Sequence, residues 1–271
     1  MLRKMACANE YMLGKIMMKV VGIDPAPTKG LHVFDGQEHQ HILLPNARAY
    51  INALHNQHDL LVCWDSPLTG PPTNIVNGEE ADGSDFSQRL IESFFSRKES
   101  EFKVPKGISV RGYSGCPHWA LSRSLLGFPR VGPFDAIELS LPFKLLTTDT
   151  PPMDGCHMVE VHPAVALWLW TRDKRESNAD WNYKESGQVM GELWNILLQV
   201  PRISDALGMA HHDVPSSDDK LDAIVAYLLG RLWVSSPRTV VLLGDSNHGT
   251  FLLPHVDGLE DAWAYFMNEF A

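Results

Sequence analysis

The sequence predicts an α/β fold: a mixed five-stranded sheet with a β-β-β-α-β opening, flanked by helices, with an insertion after the fourth strand. Three observations carry this expectation. Val20–Ile23 and Leu60–Trp64 are solid apolar runs of strand length, the mark of strands buried on both faces. Each run stops on a carboxylate followed by a turn, Asp24-Pro25 in one case and Asp65-Ser66-Pro67 in the other. Between them lie two shorter strand-like segments and one amphipathic stretch, which suits a hairpin followed by a helical crossover to a parallel strand.

The first 18 residues mix Arg3, Lys4, Glu10 and Lys15 with methionines and lack the continuous apolar core of a signal peptide. A loosely attached extension is expected there, with Met17 or Met18 as a natural start and one domain over 19–271. Leu31–Phe34 and Ile42–Leu44 read as the second and third strands around an Asp35-Gly36 turn, and Asn46 as the cap of a helix in which Tyr50, Ile51 and Leu54 share a face. Residues 66–110 scatter proline and glycine through polar sequence, with helical spacing only across Phe86–Phe95. This segment reads as the insertion, a lid over a site or a loop without a role.

A helix is expected from Pro117 to a stop at Gly127. A strand follows at Met158–Val161, carrying Glu160 and ended by His162-Pro163, then an apolar helix over Ala164–Trp170 and another over Glu185–Leu198. Asp218–Trp233 is the best helix, with Leu221, Ile224, Val225, Leu228 and Leu232 on one stripe. At about 100° per residue, Asp222 falls on the edge of that stripe and too late for a cap. Ser216 with Asp219 fits a capping-box-like start, and Asp218 suits the positive helix end. Strands at Thr239–Leu243 and Thr250–Leu253 around a tight Gly244–Gly249 turn, and a helix near Leu259–Phe270, close the chain.

Composition narrows the function classes. Of 271 residues, 44% are hydrophobic and 21% charged, enough for a sizeable core. A net charge of −10 argues against coating nucleic acid with the whole surface, while seven basic residues against two acidic ones between Arg97 and Arg130 leave room for a local phosphate track. The four cysteines form no C-x-x-C pair and no apolar run reaches membrane-spanning length, so a cytoplasmic protein is expected.

Asp24, Asp65 and Asp222 make a set of hard oxygen ligands, with Glu160 or Asp219 as a fourth, which suits Mg²⁺ or Mn²⁺. Clustered carboxylates raise each other's pKa, so a divalent cation is the natural way to keep them ionised. Two such ions about 4 Å apart stabilise the attacking and leaving oxygens of an in-line phosphoryl displacement. At any single position a turn cap or a solvated surface charge is the plainer explanation. The weight lies in acidic residues recurring where strands close or a buried helix opens.

V-V-G-I-D-P-A-P at 20–27, C-W-D-S-P at 63–67, V-E-V-H-P at 159–163 and D-D-K-L-D-A at 218–223 resemble the family catalogued as domain of unknown function 429, with likeness from about residue 19 to the L-L-P at 252–254. The resemblance implies a predicted nuclease with a ribonuclease H-like fold. The G-I-D-P start and the D-x-x-D-A are also similar to Holliday-junction resolvases of that fold. By this likeness Asp24 matches the first-strand aspartate, Asp65 the fourth-strand acid, and Asp219 and Asp222 the pair on the last helix. Glu160 matches a glutamate of the uncharacterised family alone, and the insertion 66–110 has no counterpart.

The expected function is therefore metal-dependent hydrolysis of nucleic-acid phosphodiester bonds. Asp24 bridges two ions, Asp65 and Asp222 each hold one, Glu160 or Asp219 completes a shell or orients water, and Lys106, Arg111 and Arg123 contact the backbone. Two alternatives stand beside it. An actin-like ATPase or phosphotransferase also begins with an aspartate after its first strand, but Pro25 and Pro27 lack the N–H donors of a phosphate turn. A non-catalytic module binding nucleic acid or protein is the other. Gly244-Asp245-Ser246 with His248 fits a hairpin turn better than a serine esterase, and His211-His212-Asp213 a polar loop better than a metal site.

Overall fold

The structure is a computed structural model, and it describes residues 18–54, 56, 59–69, 75–76, 79–80, 89–110, 117–126, 143–176, 179–208 and 213–270. Of the expected extension only Met18, which is buried, is described; residues 1–17, the Gly127 stop and the His211-His212 pair lie outside these residues. Among those described, β1 (Lys19–Ala26), β2 (Gly30–Phe34), β3 (His39–Ile42), α1 (Leu44–Leu54) and β4 (Leu60–Trp64) form the β-β-β-α-β opening. The sheet has six strands among the described residues, in the order β3-β2-β1-β4-β8-β7, where β7 is Lys144–Leu145 and β8 is Cys156–Glu160. The sixth strand is β7, two residues long and too short to leave a periodic signal.

Register decides where the strand ends meet. β1 and β4 are parallel with Ile23 opposite Trp64, and β4 and β8 are parallel with Trp64 opposite Glu160. Asp24, Asp65 and Glu160 thus arrive at the same end of three neighbouring strands. Successive side chains alternate between faces, and the alternation separates them. Val20, Leu61, Cys63, Val159 and Val161 belong to the apolar layer on one face, and Val21, Ile23, Val62, Trp64 and Met158 to the layer on the other. Asp24 and Asp65 continue the first set; Glu160 continues the second.

The first face is covered by α4 (Pro163–Thr171), α5 (Gly187–Leu197) and α7 (Asp218–Ser235), the second by α1 and α3 (Pro117–Leu126). Helix α7 lies against β1 because two glycines let it. A Cβ on Gly22 would overlap the backbone of Ala223 and Tyr227, and one on Gly230 would overlap the Cys63 sulfur. The Gly22 contact holds the first turns of α7 over the end of β1. β9 (Val240–Asp245) and β10 (Gly249–Pro254) pair as a separate hairpin, joined to the main sheet by a bridge between Val161 and Leu252. Asp245 accepts the backbone N–H groups of Asn247 and His248, closing the tight turn. The remaining elements are β5 (Ile75–Val76), β6 (Glu79–Glu80), α2 (Leu90–Ser96), the short α6 (Ile203–Leu207) and α8 (Leu259–Phe270).

Local corrections have local causes. The third strand occupies 39–42, not 42–44, because Asp35 accepts the N–H groups of Gln37 and Glu38 and turns the chain early. Helix α1 then begins at Leu44, so Asn46 sits inside it and not at its cap. The α7 cap is Ser217, whose hydroxyl accepts the Lys220 N–H at 3.2 Å, in place of Ser216.

Candidate functional site

Three acidic residues from remote parts of the chain stand near enough to one another, above the ends of β1 and β4, for their charges to act on one another. Asp24 is 6% exposed and Asp222 1%, while Asp65, just past β4, is partly buried. Burial raises the Asp24 carboxyl well above its ordinary value, and the charges of Asp65, Asp222 and Asp219 push it further. Burial raises Asp65 likewise, with Asp222 and then Glu160 adding to the effect and Lys184 opposing it. This is the signature of like charges crowded into one desolvated space.

Lys184 is the cation among them. Its Nζ lies 2.8 Å from Asp222 Oδ2, and Tyr183 donates its hydroxyl to Asp222 Oδ1 at 2.6 Å. The charge of Asp222 holds the Lys184 ammonium well above its ordinary value despite burial of its stem. The side chain is 48% exposed, so its field is partly screened. Burial, followed by the neighbouring Asp222, drives the Tyr183 phenol upward, and it stays a donor at neutral pH. Neither residue stands out in the sequence: both sit in a turn before α5, outside any periodic pattern.

Asp219 is held to one side. Its Oδ2 accepts from Lys29 Nζ at 2.5 Å and lies 3.5 Å from His32 Nε2. His32 packs against His41 with ring centroids 4.5 Å apart, and its Nδ1 lies 3.2 Å from His39 Nε2. Burial holds both His32 and His39 below the ordinary histidine value, His39 to about 4, so these two rings are uncharged at neutral pH beside the Lys29–Asp219 ion pair.

Glu160 has a different setting. Its Oε2 accepts the backbone N–H groups of Leu68 and Thr69, the Thr69 hydroxyl and Arg89 Nη1, and its Oε1 accepts Arg89 Nη2 at 2.6 Å. Arg89, fully buried, also holds Glu92 and the Thr69 carbonyl. Thr69 Oγ1 in turn accepts the Thr250 N–H and pairs with its hydroxyl. Glu160 therefore fastens the segment after β4 and the helix α2 to the β9–β10 hairpin. Of the three basic residues expected to touch a nucleic-acid backbone, Lys106 is exposed on a turn. Arg111 lies outside the described residues, as does the side chain of Arg123.

The donor set of Asp24, Asp65 and Asp222 suits a hard divalent cation by chemistry and by charge, since three carboxylates and one ammonium leave two negative charges. It is not a preformed cage: among the described residues, no three His, Cys, Asp or Glu side chains are gathered as metal ligands. Beside the carboxylates lies a cleft of about 150 Å³ whose walls include Asp65, Ser66, His162, Ala164, Lys184 and Phe251. Burial, with Lys184 and Arg89 nearby, pushes His162 down to about 3, so its ring is neutral. Among the described residues no helix is long and apolar enough to cross a membrane.

Comparison with curated proteins and with solved structures finds no match. Comparison with known families matches residues 22–247, from the glycine beneath α7 to the β9–β10 turn, to the family described as "Protein of unknown function (DUF429)". The match includes Asp24, Asp65, Glu160, Asp219 and Asp222, and the chain belongs to that family.

Proposed function

We propose that this protein is a divalent-cation-dependent phosphodiesterase acting on nucleic acid, with a ribonuclease H-like arrangement of its central sheet. One observation carries the reading: Asp24, Asp65 and Asp222 are delivered by two strand ends and a helix to one end of the sheet, where burial and then the neighbouring carboxylates push Asp24 and Asp65 upward. Carboxylates perturbed by burial and by like charges cluster at functional sites. Asp24, Asp65 and Asp222 would hold Mg²⁺ or Mn²⁺, with Asp219 at the periphery. The bound cation supplies charge neutralisation at a phosphoryl group and activation of water.

The chain's own groups divide the remaining work. A carboxylate raised toward neutrality is a stronger base toward water than an exposed one, which suits Asp65 or Asp24 to accept a proton. Lys184 keeps donors free of Asp222 for a phosphate oxygen, and Tyr183 fixes the Asp222 carboxylate against rotation. Glu160 serves in this reading as a fastening for the wall of the site, and Lys106 meets the nucleic-acid backbone. A panel of labelled oligonucleotides, turned over with Mn²⁺ by wild type and by Asp24→Asn, tests the reading. Cleavage by wild type that the variant loses supports it; cleavage by neither, or by both equally, refutes it.

A second reading has its own observation. Lys184 already pairs with Asp222, and among the described residues no three-ligand group stands ready. On this reading the ammonium is the resident counter-ion and the protein a cation-independent binding module. Retention of labelled oligonucleotide in EDTA, without cleavage under any cation, is its expected signature.

A further inference from the structure

Residues 179–186 belong to no helix or strand, so what packs against them decides where Tyr183 and Lys184, the two donors on Asp222, stand. One support comes from the far end of the insertion. There Ile108 donates its backbone N–H to the Pro105 carbonyl at 3.3 Å, and inside that turn Gly107 takes a φ of 102°, which glycine adopts without strain. A Cβ on Gly107 would stand 2.8 Å from the Asn182 nitrogen and 2.9 Å from the Trp181 carbonyl carbon, so the turn lies directly on the peptide group that joins them. Both are backbone atoms, which do not swing aside as the end of a flexible side chain does. On its other side the segment is held by Asp180, whose Oδ1 accepts the Asn182 N–H at 2.9 Å, and by Arg175. That residue donates to the Asp180 carbonyl at 2.8 Å and lays its guanidinium over the Trp181 ring. Ile108, Trp181 and Tyr183 are buried in one apolar layer, and Ser109 stands on the cleft wall that Lys184 and Asp65 also form.

We infer that Gly107 is a positioning residue for the carboxylate centre: the turn it permits fixes the Trp181–Asn182 peptide and thereby sets Tyr183 and Lys184 on Asp222. The inference rests on the reading of Asp24, Asp65 and Asp222 as the working site, and it gives the end of the insertion a role there. The path is short. The braced peptide immediately precedes Tyr183, whose own N–H returns to the Trp181 carbonyl at 2.9 Å, so a shift of that carbonyl carries the tyrosine with it. Hydroxyl and ammonium meet the two oxygens of one carboxylate at 2.6 and 2.8 Å, and a constellation of this kind works only when held to within roughly half an ångström. A side chain at position 107 forces a larger shift twice over, by overlap with backbone and by a φ that L-residues avoid.

The test reads the Tyr183 hydroxyl proton by NMR in the full chain without divalent cation, so that it stands apart from cleavage. A buried hydroxyl donated to a carboxylate at 2.6 Å gives a slowly exchanging signal well downfield, identified by its absence from Tyr183→Phe. In Gly107→Ala that signal is expected to move upfield or vanish. Ile51→Val, which opens space in the opposite apolar layer and lowers Tm, leaves it in place. A glycine inserted between Lys106 and Gly107 lengthens the turn without adding a Cβ and is expected to disturb the signal in the same way, so the test does not depend on Gly107→Ala folding. An unmoved signal in Gly107→Ala, or in the insertion variant where Gly107→Ala does not fold, overturns the positioning role, and so does an equal movement in Ile51→Val. On the phosphodiesterase reading, Gly107→Ala loses as much cleavage as Lys184→Gln and the double variant loses no more; losses that multiply overturn the role. A displaced signal in a protein that cleaves nothing keeps the positioning role and rejects the nuclease. Cleavage that Asp24→Asn abolishes, with the signal unmoved in Gly107→Ala, does the reverse.

Discussion

Two buried acidic clusters lie within one end of this fold, and they are built on opposite principles. Around Arg89, the carboxylates of Glu92 and Glu160 meet a fully buried guanidinium, and Glu160 is further supplied by two backbone N–H groups and a hydroxyl. Around Lys184, three aspartates share one half-exposed ammonium, whose contact is made to Asp222. Burial raises carboxyls in both places; at Glu92, Arg89 opposes the rise through its charge and its hydrogen bonds. The first cluster is satisfied and holds segments together. The second is left unbalanced, as a site that awaits a ligand is.

The sharpest way to break the comparison is to remove the cation from the first cluster and a carboxylate from the second. Arg89→Met leaves two buried carboxylates uncompensated and is expected to destabilise the protein by about 3–5 kcal/mol, read from denaturant unfolding. A loss under about 1 kcal/mol would mean that the cluster is not the fastening described here. The opposite sign is expected at the aspartates. Asp24→Asn removes a carboxylate that burial and its neighbours disfavour in the charged form, and should stabilise the fold at pH 7 by about the 0.5–3 kcal/mol within which single substitutions ordinarily act. On the phosphodiesterase reading, the same substitution is expected to abolish cleavage.

The pH dependence follows from the same asymmetry. Asp24 and Asp65 have folded-state pKa values raised above the ordinary 3.8, so between the two values the folded protein binds more protons than the unfolded chain. Their contribution to stability is thus fullest below 3.8 and is lost as pH rises through the folded values. Wild-type stability minus that of Asp24→Asn should fall as pH rises from about 4 toward neutrality. A flat difference contradicts the crowding. Smaller still is the effect of Lys184→Gln, about 1 kcal/mol of destabilisation because the ammonium is half in water. Added Mn²⁺ should restore that loss and raise the variant's Tm by more than it raises the wild type's.

How much of this was legible in the sequence differs between the clusters for physical reasons. Asp24 and Asp65 stand at the ends of unbroken apolar runs, and strand alternation keeps them on one face once the strands pair in register. Asp222 was legible from helix phase. What pulls α7 within reach of β1 is Gly22, whose role depends on a helix some 200 residues away and leaves no local pattern. Lys184 and Tyr183 lie in an aperiodic turn, so nothing in their spacing marks them as partners of Asp222. Arg89 is hidden among the polar residues of the insertion, where a charge ordinarily means solvent. Glu160 was visible as an acid at a strand end. Its opposite parity to Asp24 and Asp65, which becomes meaningful only with the Ile23–Trp64–Glu160 register, turns it toward Arg89.

The central claim is that the unbalanced cluster exists to receive a cation. Calorimetric titration of Mn²⁺ into wild type and into Asp24→Asn, with the fold of both checked by circular dichroism, tests it most directly. The account predicts saturable binding to the wild-type protein and none to the folded variant. Identical heats from the two proteins, or no binding to either, would contradict it.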